Sequence, residues 1–487
     1  MKAFRAIVAL TFRNAVRSHI FQLLLILLLL CVTLIPFSVS TGKIDDLIRV
    51  SLLYSLWSVS IVLTLSSLWL GCYIMSHDID NYQIHMVVSK PVPRSVIWLG
   101  KWAGINLINI VLLLFAGLVV YAVVMLRYNE AGETGRFADR EVARQNAEAE
   151  RARIRSQILV GRRVFMPELP DPEKVAEAAV NQRIQELAQE GKQFTDSEIA
   201  RLRDEVRRDI STRPIEVVPA RLNEAGIPLT AATAHTWIFK DLPADLNKGR
   251  LILRFRPYLN KVASEDQRDS RMWWGVQNPA AVQSAGESGS YMAVTPYPEA
   301  YFTGEFHEHF LPDGVISPEG IVKIQVVNAD TQGGKHYYQI ADGPQLLIPV
   351  CGFEANYLRA MLVMLVQLLL LSGLACAFGG CLTMPTAIFM VVSYLLFGSL
   401  SMILTDASFF ISTAWDKLGN ILAKTLLLVV IPLQNFDVTD MLSNGELIEF
   451  SFIWKLFFEY FLLRGVPLFL LGIWLYRRRE MGSAVRK

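Results

Sequence analysis

Apolar residues gather along this chain into runs separated by charged intervals of very unequal length. A bilayer core takes about 20 apolar residues per helix. That length predicts membrane spans over residues 20–37, 50–75, 96–126, 358–378, 387–404 and 452–476. One further run, 421–431, carries Lys424 and stops at Pro432 after about 11 residues, too few to cross, so a re-entrant or interfacial helix is expected near 411–431. Before the first run, Phe4, Ile7, Val8, Phe12, Ala15 and Val16 recur at helical spacing on one face, with Lys2, Arg5, Arg13 and Arg17 on the other. This pattern predicts an amphipathic helix on the inner leaflet, apolar side down and basic side toward anionic headgroups. A basic region, an apolar run and small residues at Ser38 and Ser40 also outline a signal peptide, but the long, face-separated region in front argues against cleavage.

About 230 residues between the third and fourth spans are enough for a core of their own. Residues 127–214 are rich in Ala, Glu and Arg, and Thr195 with Glu198 forms a capping box, so exposed charged helices in a stalk or hairpin are expected. Such charge runs read as solvated faces. Over 215–355 the pattern shortens to "HTWIFKDL", "GRLILRFRPYL", "YMAVTPYP", "GEFHEHFL", "IVKIQVVNA" and "HYYQIADGPQLLIPV", with Pro, Gly and Asp turns between them. A β-sandwich closes such strands. The expected fold is an α-helical polytopic membrane protein, with helices 1–3 in 1–126 and helices 4–6 in 356–487, carrying an extracytoplasmic α+β domain.

Composition agrees with the membrane class: of 487 residues 52% are hydrophobic and only 19% charged. A net charge of +2 gives no reason to invoke nucleic acid. Placement of the charges matters more. Lys2, Arg5, Arg13 and Arg17 precede the first span, Lys90, Arg94 and Lys101 follow the second, and Arg477, Arg478, Arg479, Arg486 and Lys487 follow the last. Basic clusters stay inside, which predicts a protein of the inner (cytoplasmic) membrane with both termini cytoplasmic and 127–355 extracytoplasmic. The five cysteines form no disulfide framework, because Cys31, Cys72, Cys376 and Cys381 lie in or beside spans.

Enzyme motifs are absent. No G-x-x-x-x-G-K-[ST], H-E-x-x-H or G-x-S-x-G occurs, so no catalytic residue is expected and any driven work needs energy from another subunit. His307 and His309 alternate on a strand and would share a face, but two ligands make a weak metal site, and a pair of surface histidines is the plainer reading. Trp237, Trp273, Trp274, Tyr291, Tyr297 and Tyr301 read first as core, with a glycan- or lipid-stacking surface as the alternative. Within the spans, Glu459 and Arg464 are costly to bury and are functional candidates, with Gly465 and Pro467 allowing a kink. Asn106, Asn109 and Gln367 are milder candidates, for which hydrogen bonding between helices at a subunit interface is the preferred reading and needs no substrate.

The interval 76–101 begins with Asp78 and Asp80, continues through amphipathic "YQIHMVV" around His85 and ends in "SKPVPRSVIWLGK". Residues 82–88 suffice for about two helical turns, and Pro91 and Pro93 then forbid continuation. A stiff lever against the third span results. This stretch resembles the coupling-helix loop of type-2 ATP-binding-cassette (ABC) permeases, through Ser89, Lys90, Pro91, Arg94, Leu99, Gly100 and Lys101. Asn81 and Tyr82 stand where that family often has Gly-Thr, and the large insertion after the third span is a second departure. The resemblance implies that Asp78, Asp80, His85, Lys90 and Arg94 dock on a cytoplasmic ABC ATPase subunit that binds ATP and Mg, that the N-terminal helix is the family's connecting helix, and that a second permease subunit, identical or not, completes the assembly. The expected function is an ABC permease subunit, an exporter by family default. The alternative is a non-transporting scaffold or mechanotransmitter whose outer domain grips an envelope protein, a lipid or a glycan.

Overall fold

The computed structural model describes residues 2–17, 19–38, 44–80, 92–130, 140–168, 181, 214–219, 234–243, 251–259, 269–282, 286, 290–330, 334–339, 343–406 and 414–478. The chain divides into a helical unit, Met1–Gly161 with Cys351–Lys487, and a sheet unit, Arg162–Val350.

The helical unit runs α1 (Lys2–Arg17), α2 (His19–Ser38), α3 (Ile44–Asp80), α4 (Arg94–Glu130), α5 (Arg140–Gln157), α6 (Phe353–Cys381), α7 (Met384–Asp406), α8 (Ala414–Val429), a 3-10 turn (Leu433–Phe436), α9 (Thr439–Ser443), α10 (Phe450–Leu456), a π-helix (Phe457–Gly465) and α11 (Val466–Arg478). Among the described residues five helices are long and apolar enough to cross a membrane: Leu47–His77, Arg94–Asn129, Phe353–Cys381, Met384–Ile403 and Phe450–Arg478. These mark the chain as a membrane protein. The expected first span is covered by the continuous helix α2, which is set at an angle to α1. Phe21–Leu34 meets Lys2–Arg17 at a 65° bend, and Ile421–Leu428 meets Leu433–Ser443 at 53°, so the count runs from five to seven according to how each bent pair is read.

α6 is the centre of the bundle, and small residues let its backbone approach its neighbours. A Cβ added at Gly71 of α3 would lie 2.4 Å from the Ala375 Cβ, and one at Gly472 of α11 would lie 2.5 Å from the Ala377 Cβ. On the outside of the bundle, α1 lies against α4. A Cβ at Gly100 would meet the Ile7 side chain at 2.8 Å, and one at Gly104 would meet Thr11 at 2.7 Å. One stripe of the amphipathic helix is covered by protein: Thr11 and Ala15 are buried, because two glycines one turn apart on α4 leave a channel that a helix fills.

The sheet unit contains β1 (Val160–Phe165), β2 (Ile215–Val217), β3 (His235–Phe239), β4 (Ile252–Phe255), β5 (Tyr258–Leu259), β6 (Asp269–Gln277), β7 (Tyr291–Ala293), β8 (Glu299–Phe302), β9 (His307–Phe310), β10 (Val322–Asn328), β11 (His336–Tyr338) and β12 (Gln345–Gly352), where β1 and β12 each straddle the boundary by a residue or two. They form sheets of order β1-β12-β4-β9, β3-β10-β6-β7 with β8 also on β6, and β2-β11-β5. The six sequence stretches read as strands carry β3, β4, β5, β7, β9, β10, β11 and β12. Inward residues of the sheets, among them Phe239, Phe255, Trp274 of β6, Ile324 and Leu346, make one core. The stretch 127–214, expected to be helical, contributes α5 but also β1. The capping box at Thr195 and Glu198 lies outside the described residues.

Of the six aromatics named above, Trp237, Trp274 and Tyr301 are core, while Tyr297 is 73% exposed. Trp273 lies over Gly275, where a Cβ would meet its ring at 2.7 Å.

Candidate functional site

The interval that resembles a coupling loop is bounded by helix on both sides. Asp78 and Asp80 belong to the last turns of α3, and α4 begins at Arg94 directly after Pro93, whose carbonyl accepts from the Val96 amide at 2.9 Å. His85, Lys90 and Pro91 lie outside the described residues. What is described is how the exit of the loop is held. Arg94 Nη1 donates to the carbonyl of Arg477 at 2.7 Å, satisfying an acceptor at the C-terminal end of α11. Lys101, almost fully buried, donates to the carbonyl of Ile74 at 3.1 Å on α3. Trp98 and Trp102, one turn apart, donate their indole N–H groups to the carbonyls of Cys376 and Leu369 at 3.3 and 3.2 Å on α6. From α3, Ser76 donates to the carbonyl of Gly379 at 3.0 Å. The first turns of α4 are thereby tied to α3, α6 and α11. Arg94, expected to dock on a partner, and Lys101, part of the matching motif, each hold a helix of their own chain; sequence reasoning missed Trp98 and Trp102, whose one-turn spacing was the available signal.

The intramembrane amides are also engaged within the chain. Asn106 accepts from Ser372 at 2.9 Å, Asn109 donates to Ser67 at 3.0 Å, and Gln367 donates to Thr64 at 3.2 Å. These bonds join α3, α4 and α6, inside one bundle rather than between subunits.

Arg464 and Glu459 sit on the π-helix, a form in which hydrogen bonds run from i to i+5 and which concentrates at functional sites. The two pair at 3.0 Å. Arg464 also donates to the carbonyls of Leu427 and Val430, the second at 3.3 Å. Those carbonyls end α8, where Pro432 has no N–H to continue the ladder. The guanidinium lies 4.8 Å from the Tyr460 ring centre, and the Tyr460 hydroxyl accepts from Asn435 in the 3-10 turn. One cluster therefore holds the break between α8 and the turn against the last span. The α-helical hydrogen-bond ladder changes at this π-helix, just before Pro467.

α1 carries the remaining candidates. Phe4, Arg5, Val8, Phe12 and Arg13 line an open groove of about 300 Å³ together with Ala9 and with Leu107 of α4, while Arg17 ends the helix.

In the sheet unit, His307 and His309 both pack on Phe255, with ring centres 5.7 and 5.8 Å away. Tyr301 donates to Glu299 at 3.0 Å and lies 2.7 Å from Nε2 of His309. With the tyrosine proton given to Glu299, its oxygen accepts from the Nε2–H tautomer of His309. Burial lowers the His309 pKa, Glu299 opposing and His307 adding to the shift; burial raises that of Tyr301, and Glu299 raises it further. The pair is thus half-buried and bonded rather than a surface pair. Among the described residues no three His, Cys, Asp or Glu side chains are grouped to hold a metal ion.

No family model, no curated protein and no solved structure matches this chain.

Proposed function

We propose that this chain is the membrane-spanning subunit of an ABC transporter, coupling ATP hydrolysis by a separate nucleotide-binding subunit to substrate translocation or to motion of its sheet unit. The observation that carries this reading is the side-chain stitching of the first turns of α4. A loop that ends on Arg94 delivers any displacement to α11 through the Arg477 carbonyl, to α3 through Lys101 and to α6 through Trp98 and Trp102. Packed helices pass such motion on as rigid bodies. In this reading residues 81–91 meet the cytoplasmic ATPase, with His85 and Lys90 at the contact, and ATP and Mg bind on that partner. Arg94 transmits rather than docks. Export is the direction that the sequence resemblance implies, with a second permease subunit completing the path.

The test separates docking from transmission. The full chain is purified in mild detergent from its native host, co-purifying chains are identified by mass spectrometry, and ATP hydrolysis is followed for wild type, Lys90→Glu and Arg94→Ala. Loss of a P-loop ATPase with Lys90→Glu, together with an ATPase that stays bound but responds less to the permease in Arg94→Ala, supports the reading. If no ATPase accompanies the intact wild type, the transporter loses its engine.

A second reading has an observation of its own. Asn106, Asn109, Gln367 and Arg464 are engaged with partners in the same chain instead of lining an open path, which favours a mechanotransmitter that moves its outer domain and carries no cargo. ATPase association without any substrate-stimulated turnover would select it.

A further inference from the structure

The groove between α1 and α4 is walled by Phe4, Val8 and Phe12 on one side and Leu107 on the other, with Arg5 and Arg13 at its mouth. Its two helices are locked together by the glycine contacts at Gly100 and Gly104, so the groove is a fixed feature of the fold. α1 contains no acidic residue, and among the described residues neither Arg5 nor Arg13 meets an anionic protein group. The two arginines leave the helix eight positions apart, about 12 Å along its axis, and both side chains line the groove. Below it, Leu107, Val111, Leu114 and Leu118 follow one another at helical spacing along α4 and are 40, 43, 61 and 69% exposed. An apolar track thus leads away from a doubly cationic mouth.

That combination matches one class of molecule: an acidic head attached to a long hydrocarbon chain. Guanidinium groups bind phosphate through paired N–H donors, and basic amphipathic helices draw acidic lipids. The volume of about 300 Å³ suits a phosphate and glycerol rather than a whole lipid, with the chain running out along α4. We propose that this groove is a binding site for an anionic phospholipid, its phosphate between Arg5 and Arg13, its glycerol against Val8 and Ala9, and one acyl chain on the Leu107 to Leu118 track. A zwitterionic lipid offers the same phosphate but brings a cation to a mouth that already holds two.

Nothing in this site depends on an ATPase partner, and it is tested without one. Full-length protein in detergent is titrated with phosphatidylglycerol or phosphatidylcholine of the same chains, and bound lipid is counted by native mass spectrometry. Wild type should bind one tight phosphatidylglycerol per chain, about tenfold more tightly than phosphatidylcholine. The Arg5→Gln/Arg13→Gln variant should lose that preference. Ala9→Trp, an exposed position, should block the groove and weaken phosphatidylglycerol by a similar factor while leaving the thermal midpoint in place. Equal binding of the two lipids by wild type, or unchanged phosphatidylglycerol binding in Ala9→Trp, overturns the proposal. So does a wild-type preparation whose groove is held by a polypeptide that Ala9→Trp releases.

Discussion

Arg162 and Glu308 pair at 2.9 Å although their strands, β1 and β9, are the two edges of one four-stranded sheet. The arginine is fully buried, and Glu308 also lies 3.9 Å from the equally buried Arg254. One carboxylate therefore faces two buried guanidinium groups in the sheet unit. Removing one member of a buried ion pair costs about 3–5 kcal/mol, because the charge left behind has no water to turn to. Glu308→Ala should unfold the sheet unit at markedly lower urea, read by the fluorescence of the buried Trp237 and Trp274. Glu308→Gln, which keeps a carbonyl acceptor, should fall between it and wild type.

Arg464 should matter more than its ionic partner. The arginine closes the end of α8 through two carbonyls, whereas Glu459 accepts from the arginine and makes no bond to α8 among the described residues. A hydrogen bond to a charged group contributes about 1.5–3 kcal/mol. Arg464→Met should lower the thermal midpoint in detergent and speed amide exchange across Ala414–Val429 and Leu433–Phe436, while Glu459→Gln should leave most of that protection. Equal effects from the two variants would argue against a helix-ending role.

Gly104 is a seat for α1, and a side chain there has nowhere to go but into Thr11. Overpacking of this kind costs about 1–3 kcal/mol. Gly104→Val should loosen α1 and hasten tryptic cleavage after Arg13 and Arg17. Gly419→Ala, at a site with no neighbour within 4 Å, is the control and should cleave as wild type does.

His336 is buried on β11, and burial pulls its pKa down to about 4, against a weaker opposing pull from Asp330. Unfolded, the same group titrates near 6.5. Between those values the unfolded chain holds a proton that the native chain refuses, so stability is full above about pH 6.5 and falls as pH drops toward about 4. His235 and His309 are shifted the same way by burial. Urea midpoints of the full chain, followed by tryptophan fluorescence from pH 7.5 to 4.5, should decline with a slope that His336→Gln reduces.

Much of the helical unit was legible because lipid imposes length: the runs ending near His77, Asn129, Cys381, Ile403 and Arg478 announced themselves. The sheet unit was legible where strands alternate, as in "IVKIQVVNA". Strand β1 was not, since "VGRRVF" places a buried arginine where alternation predicts an apolar residue, and β6 opens on Asp269, Ser270 and Arg271. At the candidate site the polar residues were visible but their partners were not. Arg94, Lys101, Trp98, Trp102 and Arg464 all bond to backbone carbonyls, which every residue has and which therefore leave no mark in a sequence. Gly100 reads as part of a loop motif, and only the packing of α1 gives it and Gly104 a structural use.

The π-helix at Phe457–Gly465 has a consequence for inheritance. Each residue of an α-helix advances the face by about 100°, so a segment that accommodates an extra residue resets which side of α11 looks inward. Phe469, Gly472 and Tyr476 meet the bundle in this setting. Straightening this stretch into an α-helix of the same length would swing all three away from α6 and bring Leu468, Leu471 and Leu475 round in their place, although every codon stayed the same. Residues after Gly465 thus keep their seats because the π-helix takes up the extra residue, and a relative one residue shorter here, with an unbroken α-helix, would close the same bundle with the same small and large side chains.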